Sequence, residues 1–130
     1  MTRILLVEDD VDQRENLQAI LQKAFANYVI FAAGSYGEAV EKLRELRSVS
    51  LVLADYRLPD GTAYDLLRYC QDHLTNVPVI IITAHRDNDE VRPAISLRKG
   101  AFEFIEKPIK DYEELIERIK RAIQISEALA

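Results

Sequence analysis

Apolar residues fall in short unbroken runs along this chain, separated by longer stretches in which they recur at helical spacing. The runs are Ile4–Val7, Tyr28–Ala33, Leu51–Ala54, Val77–Thr83 and Ala101–Ile105. Runs of this length without polar alternation read as strands covered on both faces. Between them, Val11–Ala26 reads as a helix with Leu17, Ile20, Leu21 and Ala24 on one face and Asp9 or Asp10 as its cap. A second helix runs to about Leu46, with Ala39, Val40, Leu43 and Leu46 inward. Ser35 is its cap, and Glu38 completes a capping box. A third helix spans Thr62–His73, with Leu66, Leu67 and Cys70 on or near the buried face. A fourth begins at about Val91 or Arg92, because Pro93 is tolerated only in a first turn, and Gly100 stops it. Asp111 caps a fifth, with Leu115, Ile116, Ile119, Ala122 and Ile123 inward. Five strands alternating with five helices predict a parallel sheet with helices on both faces and right-handed crossovers.

A length of 130 residues suits one domain with one core. The net charge of -5 comes without a basic stripe, which argues against direct nucleic-acid binding. The single cysteine, Cys70, excludes an internal disulfide and reads as a buried helix residue in a reducing compartment. The first apolar run meets acids after four residues, too soon for a signal peptide or a membrane span. A cytoplasmic protein is expected, with no membrane partner.

The polar residues that end the strands then acquire a meaning. Parallel strands all finish at one edge of a sheet, the edge at which open α/β folds bind ligands. The first strand brings Glu8 and Asp9 there, the third Asp55, the fourth Thr83 and the fifth Lys107. Three crowded carboxylates repel one another unless a hard divalent cation sits among them, and Mg²⁺ prefers oxygen ligands. A carboxylate at such a metal is a nucleophile for a phosphoryl group. Lys107 is then placed to neutralise phosphoryl oxygens, and Thr83 to hydrogen-bond one of them. Each residue alone has a plainer reading: acids as helix caps, Thr83 as a strand-end hydroxyl, a lysine before proline as surface.

Four segments, in order and compatibly spaced, carry a resemblance: Ile4-Leu5-Leu6-Val7-Glu8-Asp9-Asp10, Leu53-Ala54-Asp55-Tyr56-Arg57-Leu58-Pro59-Asp60-Gly61, Ile80-Ile81-Ile82-Thr83-Ala84, and Gly100-Ala101-Phe102-Glu103-Phe104-Ile105-Glu106-Lys107-Pro108. Together they resemble the receiver domain of bacterial two-component response regulators over nearly the whole chain. The resemblance implies a single (βα)5 flavodoxin-like, CheY-like doubly wound fold with a five-stranded parallel sheet in the order 2-1-3-4-5. It implies that Asp55 accepts a phosphoryl group from a sensor histidine kinase. Mg²⁺ or Mn²⁺ would be held by Glu8, Asp9, Asp55 and the backbone carbonyl of Arg57. Thr83 and Lys107 would assist, and Thr83 with Phe104 would form the switch. Arg57 and His85 would tune dephosphorylation, and the Lys107–Pro108 bond is expected to be cis.

The same resemblance places the output face on the fourth helix, fifth strand and fifth helix (α4-β5-α5 of the family), with Arg92, Arg98, Lys99, Asp111, Glu114, Glu117 and Arg118 as candidates for a homodimer contact. Mixed charges there suit a solvated face equally well. Residues 1–130 are expected to be one receiver domain. The abrupt helical end at Ala130 points to excision from a longer protein with a C-terminal output domain, in the manner of transcriptional regulators. The chain is expected to be a signalling switch with only self-phosphorylation and self-dephosphorylation chemistry, not an enzyme by purpose. An aspartyl-nucleophile phosphohydrolase is disfavoured because Arg57 occupies the position two past Asp55, where such enzymes carry an acid. A nucleotide or flavin binder lacks its glycine-rich loop, since Gly34, Gly37, Gly61 and Gly100 match no phosphate-cradling spacing. A degenerate receiver, acting as a phosphorylation-independent interaction module, is disfavoured by the presence of all five site residues.

Overall fold

A computed structural model describes residues 2–84 and 101–129. Its main sheet contains β1 (Arg3–Val7), β2 (Val29–Ala33), β3 (Leu51–Asp55), β4 (Val79–Thr83) and β5 (Glu103–Glu106). All neighbours pair in parallel, in the order β2-β1-β3-β4-β5. This is the doubly wound order expected. The first three helices are α1 (Val11–Ala24), α2 (Tyr36–Leu46) and α3 (Ala63–His73), followed by the C-terminal helix Tyr112–Leu129. The predicted fourth helix, with Arg92, Pro93, Arg98, Lys99 and Gly100, lies outside the described residues, as does His85.

Period-two alternation divides the strand residues between two cores. Leu5, Val7, Val52, Ala54 and Ile81 face α2 and α3, joined by Ala39, Leu43, Leu66 and Cys70. Ile4, Leu6, Leu51, Leu53, Ile80 and Ile82 face α1 and the C-terminal helix, joined by Leu17, Leu21, Leu115 and Ile119. Both faces of the central strands are covered, which explains why their sequences do not alternate. The Cys70 thiol lies in the first of these cores, and burial pushes its pKa up to about 12.

Local signals are met with two adjustments. Asp10 is the cap that α1 uses, its side chain accepting from Gln13 N at 2.8 Å. Ala24 is exposed, and Phe25, buried at the helix end and stacked on Tyr28, closes that corner instead. The Ser35 hydroxyl accepts from Glu38 N at 3.1 Å, but the Glu38 carboxylate accepts from Gly34 N at 3.0 Å rather than from the cap residue itself. The box is thus displaced by one residue, towards the end of β2. The expected turn at Pro59-Asp60 is the tip of a small hairpin in which Arg57–Leu58 pairs antiparallel with Gly61–Thr62.

Candidate functional site

Glu8 continues the β1 ladder by one residue, donating its N–H to Ala33 O at 3.0 Å. Its side chain is consequently carried into the protein, and the residue is only 3% exposed. Asp9, next in the chain, is exposed, and Asp55 at the end of β3 is half-buried. The three carboxylates converge, each offering one oxygen within 4.8 Å of the others. Their convergence follows from register: β1 and β3 are adjacent, and Val7 pairs with Ala54, so both strands run out at the same level.

Lys107 reaches this cluster from the other side. It follows β5, and its N–H donates to Thr83 O at 2.8 Å, which fixes it beside the end of β4. Its ammonium donates to Asp55 Oδ2 at 3.0 Å, to Glu8 Oε2 at 3.3 Å and to the Gln13 amide oxygen at 3.1 Å. The Lys107–Pro108 peptide bond is cis.

These contacts unbalance the acids. Burial, then the neighbouring charge of Asp55 and a hydrogen bond with its carboxylate, raise the Glu8 pKa from 4.5 to about 7, although Lys107 and the Asp10 N–H pull the other way. Burial alone would lower the Lys107 pKa, but the hydrogen bonds and charges of Asp55 and Glu8 outweigh it, and the net shift is upward. One ammonium therefore does not satisfy the cluster. The donor set is all oxygen, partly open on the Asp9 side, and short of positive charge, which fits a hard divalent cation.

The remaining candidate residues surround this centre. The Thr83 side chain is fully buried, and its hydroxyl donates to Ala84 O at 3.1 Å. Phe104 is half-buried on β5 opposite Ile81, on the sheet face that Thr83 shares. Arg57 is exposed and starts the small hairpin. On the expected output face, Arg118 pairs with Glu103 at 2.9 Å and Glu114 at 2.7 Å. Asp111 caps the C-terminal helix through Glu114 N at 3.1 Å. Glu117 pairs with Lys120 at 3.5 Å. No described helix is long and apolar enough to cross a membrane.

Two residues with no role assigned from sequence bear on the site. Gln13 appears there only as a polar position of α1, yet in the first turn of that helix it meets Lys107. Asp60 belongs to the Leu-Pro-Asp-Gly turn, yet its carboxylate accepts from Tyr36 N at 2.7 Å and Gly37 N at 2.9 Å. It thereby ties the loop that leaves Asp55 to the start of α2. The one available signal for Gln13 was its place a turn beyond the acid pair, because helical side chains lean back towards the N-terminus.

The family model for the response regulator receiver domain matches residues 4–120. Among curated proteins, the chain is 36% identical over 120 residues to the transcriptional regulatory protein CrdR of Helicobacter pylori, covering 92% of this chain and 54% of that protein. Among solved structures, it superposes with a TM-score of 0.88 and 26% identity on a response regulator receiver domain protein from Clostridium thermocellum, over 100% of both chains. It also superposes on the beryllofluoride-activated NtrC4 receiver domain dimer with a TM-score of 0.83 and 32% identity, over 97% of this chain and 99% of that one. The chain spans about half the length, or less, of the curated relatives it matches.

Proposed function

The chain belongs to the response regulator receiver domain family, and from that premise we propose that it is a phospho-switch in which Asp55 is the acceptor. The observation that carries this reading is the meeting of Glu8, Asp9 and Asp55 within 4.8 Å, with the Lys107 ammonium 3.0 Å from Asp55. In the proposed reaction an Asp55 carboxylate oxygen attacks the phosphorus of a phosphohistidine on a sensor kinase. The new O–P bond forms as the N–P bond breaks, and the electron pair leaves with the imidazole. Lys107 neutralises charge on the transferred phosphoryl oxygens. Glu8, Asp9, Asp55 and the Arg57 carbonyl would hold Mg²⁺ or Mn²⁺, which when bound supplies positive charge to the carboxylates and the phosphoryl oxygens.

Readout follows from Thr83 and Phe104. A phosphoryl oxygen offers the Thr83 hydroxyl a charged acceptor in place of the Ala84 carbonyl. The hydroxyl moves, and the Phe104 ring turns into the space it leaves. Phe104 has no hydroxyl of its own, so burial of the ring carries the change in population. Among the described residues the affected surface comprises β5 and the C-terminal helix, with the Arg118 pairs to Glu103 and Glu114 upon it. That surface would pass the signal to an output domain or a second receiver, in transcription regulation. Similar proteins support this reading: CrdR is a transcriptional regulatory protein, and NtrC4 a receiver dimer when beryllofluoride-activated.

The test is amide NMR with Mg²⁺ and beryllofluoride, with Asp55→Asn alongside. Shifts around Asp55, Thr83 and Phe104 that spread along the C-terminal helix are expected in the wild type and not in the variant. A wild type as silent as Asp55→Asn refutes phosphoryl acceptance at this site.

A further inference from the structure

An ammonium group has three hydrogens to give, and Lys107 gives them to three acceptors. Two of these, Asp55 Oδ2 and Glu8 Oε2, are carboxylates of the acid cluster. The third is the neutral amide oxygen of Gln13, 3.1 Å away and 94 residues distant in sequence. This division matters if a cation occupies the cluster. A divalent ion on the carboxylates competes with the ammonium for the same lone pairs, so both carboxylate bonds weaken together. The amide oxygen stands outside that competition.

Lys107 also has somewhere else to go. Its side chain is 26% exposed. A cavity of about 450 Å³ opens beside it, lined by Gln13, Asn16, Leu17, Ile109 and Tyr112 among others. A lysine released from the acids gains rotamer freedom by swinging into that space or out to water.

We propose that Gln13 is a positioning residue that retains Lys107 at the site once the acids are engaged, leaving its other two hydrogens for the phosphoryl group on Asp55. This rests on the phosphoacceptor reading above. A neutral acceptor suits the role because it holds the ammonium without adding a fourth negative charge, which would draw Lys107 off the phosphoryl oxygens. The Gln13 N–H is already committed to the Asp10 cap, so the residue's backbone is fixed by α1 while its side chain reaches across to the loop after β5.

The experiment compares the wild type with Gln13→Met, which keeps the length of the side chain and a helix-compatible residue but removes the acceptor. Phosphorylation by phosphoramidate at saturating Mg²⁺ is expected to slow about 3- to 10-fold, the scale of one partly exposed charge-assisted hydrogen bond. The thermal midpoint should fall by no more than about 5 °C, the scale of one partly exposed hydrogen bond. In a Lys107→Met background the same substitution should change the rate by less than about twofold, because its effect passes through Lys107. The second readout needs no turnover: the NMR signals of the Lys107 ε-methylene in the Mg²⁺-loaded protein should shift and sharpen in Gln13→Met as the side chain is released. Unchanged Lys107 signals overturn the proposal, as does a rate within twofold of wild type in a protein that does accept phosphate. If the wild type accepts no phosphoryl group, the phosphoacceptor reading fails by itself, and the Lys107 signals still decide whether Gln13 holds the lysine.

Discussion

Glu8→Gln should make the metal-free protein relatively more stable as pH rises, the reverse of what losing a salt-bridge partner ordinarily does. Glu8 is buried, faces Asp55 and shares Lys107 with it. Its pKa of about 7 in the fold compares with an ordinary 4.5. The folded state therefore keeps a proton on Glu8 through a range in which the unfolded chain has lost it. The stability this group contributes is complete below pH 4.5 and is lost as pH rises through 7. With 1.36 kcal/mol for each pH unit, the full loss is about 3 kcal/mol, of which some 2–3 kcal/mol falls between pH 5 and 8. Lys107 does not disturb this window, since its raised pKa makes its contribution disappear only on the alkaline side of 10.5.

The assay is urea unfolding of the wild type and Glu8→Gln in EDTA at pH 5, 6, 7 and 8. Other carboxylates titrate in both proteins, so the quantity to follow is the wild-type stability minus that of the variant. It should fall by about 2–3 kcal/mol across the series. Excess Mg²⁺ should offset the fall, and stabilise the wild type more than the variant, which keeps Asp9 and Asp55 but lacks the third carboxylate; a bound cation stabilises the fold by about 2.7 kcal/mol at a hundred times its Kd. A difference that stays level, or rises with pH, would refute the reasoning that burial and Asp55 govern Glu8.

Asp55→Asn should lower the Glu8 pKa, read from its carboxyl carbon by NMR, but leave it above 4.5, because burial is the larger cause and the Asp55 charge the smaller. Asp60→Ala should cost about 1 kcal/mol by denaturant titration, the usual cost of a lost helix cap, and should speed hydrogen exchange at the Tyr36 and Gly37 amides it binds. The Asp60 pKa is held down mainly by the Gly37 N–H, with Tyr36 adding to it, so its share of stability is present above pH 3.8 and disappears as pH falls through the lowered value. Cys70 should resist iodoacetamide in the native protein at pH 8 and react at the rate of unfolding, because burial pushes its thiol to about 12.

The fold was legible because burial leaves a pattern. β1, β3 and β4 are covered on both faces, so Ile4–Val7, Leu51–Ala54 and Val79–Ile82 are unbroken apolar runs, and the acids that end the first two announce the sheet edge. The edges of elements were less legible. Tyr28 carries a β-forming side chain but stacks on Phe25 outside the strand, since an aromatic ring is satisfied by either kind of burial. Ala24 matches the helical period but faces solvent, because Phe25 is large enough to close that end alone. Long-range contacts made by polar tips left little pattern. Gln13 to Lys107 spans 94 residues and Asp60 to Tyr36 spans 24, and nothing in the composition of either residue's neighbourhood encodes a partner brought there only by the finished sheet.

The acid cluster shows how much of the site's chemistry comes from strand geometry. Glu8 follows four fully buried residues and still makes a ladder bond to Ala33, so it inherits the burial of β1. Asp9, one residue later, has left the ladder and reaches solvent. Two adjacent acids thus differ because the strand ends between them. On the proposed reading, a divalent cation would be held by the exposed Asp9, the half-buried Asp55 and Glu8, whose ionisation the fold opposes. Binding would then expel the Glu8 proton, and affinity for the ion should weaken as pH falls below about 7. The same arrangement explains why Lys107 alone cannot settle the site. Its single charge is divided between two carboxylates while its third hydrogen goes to Gln13, so the cluster carries more negative charge than one lysine offsets.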